Sequence, residues 1–332
     1  MLPSGIAPFL PGFKFTSMQN KRIVIAAGTG FIGSSFVEYF GESNDIIILT
    51  RHARPSSGRI RYEQWDGAHP GSWIHTLEDA DLLINLTGKS VNCRYNASNK
   101  QAIVNSRVNA TRALGAAILT LKNPPKVWIN AGSATIYRHA EDRPMDEFNG
   151  EIENDFSVQV CKLWEQSFNS ITLPRTRKII LRIGITLGWK PGGVMQPYLN
   201  LIKAGLGGHQ GSGKQMYTWI HITDVCRMVA WLYENDALSG VFNCTAPHPV
   251  TNKVFMKTLR HAAGYRFGLP APVPLLKAGA MLIGTEAELL LKSRWVLPAR
   301  ATREGFTFQF PELAGACSDI VAHLPRSAYH LF

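Results

Sequence analysis

Lys21-Arg-Ile-Val-Ile-Ala-Ala-Gly-Thr-Gly-Phe-Ile-Gly33, followed about seventeen residues on by Leu49-Thr50-Arg51, decides how this 332-residue chain folds. Arg22 to Ala26 reads as a short apolar strand. Gly28, Gly30 and Gly33 then permit a tight turn, close approach of a pyrophosphate and packing of a helix on the sheet. That helix carries Phe31, Ile32, Ser35, Phe36, Tyr39 and Phe40 in a helical period. Its first turn offers unpaired N–H groups and the positive end of the helix dipole to a phosphate. Asp45 to Thr50 reads as the second strand. A glycine triplet alone also closes ordinary strand-helix connections; the strand before, the helix after and the second strand make this one a dinucleotide entrance, with Gly28, Thr29, Gly30, Phe31, Ile32 and Gly33 as its expected cofactor contacts.

The second strand ends in base. An NAD-selective site places Asp or Glu here to bond the ribose hydroxyls, whereas this chain has Thr50-Arg51-His52-Ala53-Arg54. Arg51 and Arg54 suit a 2′-phosphate, which a guanidinium grips as a fork, and they can also stack on adenine. The expected cofactor is therefore NADP(H), although the same residues would also make an ordinary solvated basic loop. Asp66, in Trp65-Asp66-Gly67, either accepts a hydrogen bond from the adenine amine or caps a turn.

Apolar runs at 82–86, 126–130 and 178–183 are separated by helical patterns at 99–121 and 156–171. This βαβ rhythm predicts an α/β, Rossmann-type fold with a doubly wound parallel sheet buried on both faces. After Gly184 the pattern changes to glycine and proline clusters, a helix near 194–204, a glycine-rich loop, a strand at 217–222, helices near 252–263 and within 274–291, and a last helix from Glu312. The expected division is an extension at 1–19, a Rossmann domain at 20–185 to which 217–246 returns, and a smaller, mainly helical substrate lobe made of 186–216 and 247–332.

Lys and Arg number 35 against 24 Asp and Glu, a formal charge of +11. The basic residues are scattered and accompany no nucleic-acid motif, so the charge is read as favouring phosphorylated ligands over nucleic acid. Cys93, Cys161, Cys226, Cys244 and Cys317 form no CxxC pair and lie in or beside apolar segments, as reduced thiols of a cytoplasmic protein do. The start of the chain lacks a basic region and is broken by proline, reading as neither signal peptide nor span. The apolar stretch 273–291 contains Lys277, Glu286 and Glu288 and reads as packed helices, so no membrane association is expected. Gly208-His-Gln-Gly-Ser-Gly-Lys214-Gln215 nearly spells a P-loop, but Gln215 replaces the required hydroxyl residue and the segment follows a helix instead of a strand. The ten histidines show no ligand spacing, and no metal is expected.

Further motifs carry a resemblance. With Asn85-Leu-Thr-Gly88, Ser133-Ala-Thr-Ile-Tyr137, Leu181-Arg-Ile-Gly184 and Trp219-Ile-His-Ile-Thr-Asp224, the chain resembles the extended short-chain dehydrogenase/reductases over essentially all of 21–330. Ser106-Arg107, Val160-Cys161, Trp164-Glu165, the segment 205–221, Ala246-Pro-His-Pro-Val-Thr-Asn252 and Arg294-Trp-Val-Leu-Pro298 look like the epimerase-family branch with its own C-terminal domain. The resemblance implies an NADP(H)-dependent oxidoreductase or epimerase-like protein. Leu86, Thr87 and Gly88 would be further cofactor contacts, Ser133 would hydrogen-bond a substrate oxygen, and Trp219 and His221 would form part of a pocket for an unknown small-molecule substrate. It also implies pairing of two copies through the helices at 99–121 and 156–171.

Two departures stand out. Ala27 replaces the usual first glycine of the turn. The family's general-acid tyrosine sits four residues before a lysine, and here Val158 stands at that spacing before Lys162. Lys162 remains a candidate ribose contact. Tyr137 is the phenol nearest in sequence to Ser133 and is either a replacement acid or a packing aromatic. Without an acid, the alternative to an enzyme is an NADP(H)-binding regulatory or interaction protein.

Overall fold

The computed structural model describes residues 18–283, 286 and 288–330; the expectation for 1–17 lies outside the described residues. The strands are β1 Arg22–Ala26, β2 Asp45–Thr50, β3 Ile60–Gln64, β4 Leu82–Asn85, β5 Val127–Ser133, β6 Arg177–Ile183, β7 Ile185–Leu187, β8 Met216–Tyr217, β9 Trp219–His221, β10 Gly240–Cys244 and β11 Val250–Thr251. The helices are α1 Phe31–Phe40, α2 Ala97–Thr120, α3 Phe156–Asn169, α4 Met195–Lys203, α5 Ile222–Glu234, α6 Asn252–Ala262, α7 Val273–Ile283, α8 Glu288–Leu291, α9 Ala299–Arg303 and α10 Leu313–Ala322.

Seven strands form one parallel sheet in the order β10-β6-β5-β4-β1-β2-β3. The two-residue period of its strands sends alternate side chains to opposite layers, so that both faces of the sheet are buried. Ile23, Ile25, Ile46 and Ile48 meet Phe36 and Phe40 of α1 and Val225 and Val229 of α5, whereas Val24, Ile47, Leu83 and Trp128 meet Leu114 and Ile118 of α2 and Phe168 of α3. Burying each such Ile or Phe stabilises by roughly 1.5–3 kcal/mol. The chain order reverses where β1 lies between β4 and β2, and the crevice beyond the carboxyl ends of those strands is where ligands of such sheets bind.

The C-terminal region adds its own core, in which Tyr198, Phe255, Leu259, Cys317 and Ile320 pack together. The run expected as one strand at 217–222 is split at Thr218. β8 pairs with β11 while β9 pairs with β7, and the Thr218 carbonyl accepts from the Ile185 N–H at 2.9 Å as the chain changes sheets. Among the described residues, no helix is long and apolar enough to cross a membrane, and no group of three or more His, Cys, Asp or Glu could hold a metal ion.

Candidate cofactor and substrate site

The turn between β1 and α1 is held by its glycines for two separate reasons. A Cβ on Gly33 would lie 2.5 Å from the Gly28 backbone, so α1 presses directly on the turn. A Cβ on Gly30 would meet nothing within 4 Å, so open space lies above the turn. Asn96, Asp155, His221 and Thr251 cap α2, α3, α5 and α6 with their side chains, whereas α1 begins at Gly30 with no side-chain cap. Its first-turn N–H groups are left for an anion. Ala27 takes a left-handed conformation, φ 60°, while its N–H donates to the Leu49 carbonyl at 2.9 Å. For a residue with a Cβ that conformation costs roughly 1–2 kcal/mol, which the surrounding turn sustains. The segment after β7 closes against the same turn. Cβ atoms on Gly188 and Gly193 would lie 2.9 and 3.1 Å from the Phe31 ring, and Lys190 Nζ donates to the Ser34 carbonyl at 2.7 Å and pairs with Glu38 at 2.5 Å.

Thr50 ends β2 buried, and its carbonyl accepts from the Trp65 N–H at 2.8 Å. Arg51 and Arg54 follow it in the open; neither makes an ion pair among the described residues, and Arg54 stands 6.0 Å from the Tyr62 ring centre. Asp66 is occupied locally. Its Oδ1 accepts from the His69 and Ala68 N–H groups at 2.9 and 2.8 Å and its Oδ2 faces His69 Nδ1, bonds that bring its pKa down to about 2.

The carboxyl ends of β4 and β5 are tied together by fully buried side chains. Asn85 Nδ2 donates to Asn130 Oδ1 at 2.7 Å and to Thr111 Oγ1 at 3.3 Å, and Asn85 Oδ1 accepts from the Thr87 N–H at 3.0 Å. Trp164 Nε1 donates to the same Thr111 hydroxyl at 3.2 Å. This network fixes the path of Leu86, Thr87 and Gly88. The Thr87 hydroxyl is buried with no protein partner, and a Cβ on Gly88 would lie 2.9 Å from the Arg107 guanidinium carbon. Ser133, at the end of β5, accepts from the Thr135 N–H at 3.2 Å, leaving its own proton to donate.

The phenol nearest in sequence to Ser133 is not free. Val158 is fully buried. Lys162 is exposed on α3 and donates to Asn154 Oδ1 at 3.3 Å, while the buried face of that helix carries Val158, Cys161, Trp164 and Glu165. Tyr137 is 1% exposed, donates to Asn243 Oδ1 at 3.1 Å and accepts from Arg182 Nη1 at 2.8 Å. Burial raises its pKa above 10, outweighing the Arg182 charge that pulls it down.

Sequence reasoning missed the centre of this arrangement. Arg182 of β6 and Glu165 of α3 form a buried, two-pronged ion pair, Nε to Oε1 at 2.8 Å and Nη2 to Oε2 at 2.7 Å, with the Tyr137 phenol as the third contact of the guanidinium. Burial opposes the charge of Arg182, yet the bonds to Glu165 hold its pKa above the ordinary arginine value. The signal was present as two charged residues inside otherwise buried elements, since such residues are rarely buried unless paired.

Trp219 and His221 are 0% exposed, and their polar atoms serve the fold. Trp219 Nε1 donates to the His248 carbonyl at 3.1 Å, and His221 Nδ1 accepts from the Thr223 N–H at 3.2 Å as the cap of α5. His221 Nε2 lies 3.3 Å from Asp319 Oδ2 without the alignment of a hydrogen bond.

Residues 23–245 match the NAD dependent epimerase/dehydratase family, and residues 269–320 match a domain of unknown function (DUF1731). Epimerase family protein YfhF of Bacillus subtilis is 33% identical over 305 residues, covering 91% of this chain and 98% of the relative. Human epimerase family protein SDR39U1 is 30% identical over 308 residues, covering 91% and 100%. The crystal structure of that human protein (isoform2) with NADPH superimposes with a TM-score of 0.82 at 28% identity, covering 91% of this chain and 100% of the other.

Proposed function

The chain belongs to the NAD dependent epimerase/dehydratase family, and from that premise we propose that it binds NADP(H) and acts as an oxidoreductase or epimerase-like protein on a small substrate held beyond Ser133. The observation that carries this reading is the base at the end of β2, where Arg51 and Arg54 stand exposed and, among the described residues, without ion pairs. The NADPH in the human relative's crystal structure supports it. The residues fit the group: open space above Gly30, an uncapped α1 and the orphaned Thr87 hydroxyl are a pyrophosphate and ribose cradle. When bound, NADP(H) would supply or accept a hydride. The amides of Phe31 and Ile32 would hold its pyrophosphate and Arg51 and Arg54 its 2′-phosphate, while Ser133 would direct its hydroxyl proton at a substrate oxygen. A cytoplasmic setting and a homodimer through α2 and α3 belong to the same proposal. The five cysteines are free, and Leu119 and Leu163 lie exposed on those helices.

Titration with each nucleotide, followed by tryptophan fluorescence, tests the reading. NADPH is expected to bind more tightly than NADH, and Arg51→Ala to weaken NADPH by about 1.5–3 kcal/mol through loss of a charged hydrogen bond. Equal affinities for the two nucleotides would sink it.

A second reading, a regulatory or interaction protein that keeps the cofactor without turnover, is favoured by one observation. Val158 stands buried where the acid belongs, and the Tyr137 hydroxyl is spent on Asn243 and Arg182. Absence of such an acid typically removes a factor of about 10²–10⁴ in rate. The expected result of a screen of carbonyl and nucleotide-sugar substrates, read by NADPH absorbance, is little or no turnover. Robust turnover abolished by Ser133→Ala would establish the enzyme and discard the second reading.

A further inference from the structure

We propose that one outer face of the C-terminal region, formed by the loop 266–272, the start of α6 and the open side of α7, rests on an anionic lipid bilayer. The inference stands on residues apart from the cofactor site and does not depend on the NADP(H) reading.

Phe267 is 88% exposed, and Leu269, Leu275 and Met281 are each more than half exposed. A single surface leucine is ordinary, but several large apolar side chains on adjoining segments mark an interaction surface. Leu275, Ala278 and Met281 recur at every third residue of α7 and lie open on one side of it, whereas Leu276 turns inward. The backbone that presents Phe267 and Leu269 is fixed. The Leu269 N–H donates to the Gly205 carbonyl at 2.8 Å, the Leu269 carbonyl accepts from the Gly208 N–H at 3.0 Å, and the Ala271 N–H donates to the His209 carbonyl at 2.9 Å. The loop is thus tied down by its backbone while both side chains remain in solvent.

Cations accompany these residues and anions do not. Lys214, Lys253, Lys257, Arg266 and Lys277 are exposed, and none forms an ion pair among the described residues. Cβ atoms on Gly208, Gly211 and Gly213 would meet Leu269, Val273 and Lys253, so the apolar loop, α7 and α6 adjoin along one short stretch of chain. The sequence has no Asp or Glu from 166 to 223 or from 237 to 285, the stretches that hold every residue just named. Glu286 and Glu288, which follow, are engaged by Arg94, the Tyr95 N–H and Ser157.

This charge pattern selects the occupant. A second copy would set two basic, acid-free surfaces against each other, and residues 1–17 carry Lys14 and no acid. An anionic bilayer complements both features: its headgroups attract the lysines and arginines while the apolar side chains enter the acyl boundary. Phe267 projects instead of lining a groove, which suits a yielding lipid surface better than a preformed protein one. Lys277, Glu286 and Glu288 keep 273–291 from spanning a bilayer but not from lying on one, which revises the expectation of no membrane association.

The test sediments the full chain with vesicles of phosphatidylcholine and with vesicles that also contain phosphatidylglycerol. Binding should be at least about tenfold tighter to the second kind and should fall as salt is raised. Phe267→Ser with Leu269→Ser should weaken it about tenfold. Lys253→Gln with Arg266→Gln should flatten its salt dependence. Melting temperature should stay unchanged in both variants, because all four side chains are exposed. Should a variant fail to fold, peroxide oxidation of the unaltered protein decides instead, and anionic vesicles must shield Met281. No binding, equal binding to both kinds of vesicle, folded variants that bind unchanged or an unshielded Met281 each overturns the proposal. So does a dimer, or capture of polyglutamate, that Phe267→Ser abolishes while vesicles are not bound, and so does vesicle binding that appears only after deletion of residues 1–17.

Discussion

Glu165→Ala is expected to destabilise the protein by about 3–5 kcal/mol, because it leaves the buried Arg182 guanidinium without its counter-charge. Glu165 and Arg182 are 8% and 9% exposed, so water replaces the lost carboxylate poorly. For a chain of this length the per-residue unfolding entropy converts that into a melting-temperature drop of roughly 4–7 °C. The companion experiment is Glu165→Leu with Arg182→Met, which removes both charges and should recover most of the loss, since well-packed apolar replacements of buried pairs are often neutral. Calorimetry of the three proteins provides the check. A loss below about 1 kcal/mol in Glu165→Ala would mean that the pair behaves like an exposed one.

Gly30→Ala and Gly33→Ala are expected to separate cofactor binding from stability. The Gly33 methyl would sit 2.5 Å from the Gly28 backbone, so α1 must lift off the turn. Overpacking of this kind costs about 1–3 kcal/mol and carries the phosphate-facing amides out of place. The Gly30 methyl meets no protein atom within 4 Å, so melting should be unchanged. It does occupy the space assigned to the pyrophosphate, and NADPH affinity should fall at least as far as in Arg51→Ala. Unchanged NADPH affinity in Gly30→Ala would move the pyrophosphate away from this turn.

Local features were the legible ones. The apolar runs that became β1, β2, β4, β5 and β6 need only burial on both faces, and Gly33 needs only a close approach of helix and turn, so both left a mark in the order of residues. Partnerships across the fold left none. Tyr137 meets Asn243, 106 residues away, and Arg182 meets Glu165, 17 away. Which polar groups meet there depends on the order of strands in the sheet, which no local period encodes. Helix phase explains the exposure of Lys162: the buried face of α3 runs through Val158, Cys161 and Glu165, and the ammonium lies beside Asn154. Trp219 and His221 were attributed to a pocket on resemblance, and a residue in a family motif can equally be there to hold β9 and α5 in place.

The contact between Phe31 and the 188–193 segment bears on how the molecule breathes. Because that ring fills the space against Gly188 and Gly193, and Lys190 ties the segment to Ser34 and Glu38, the start of α1 cannot detach without taking the segment after β7 with it. The two stretches, about 155 residues apart in sequence, therefore form a single opening unit in the sense of local unfolding. Their amide protons should exchange with solvent at matched rates, and a ligand that quietens one should quieten the other.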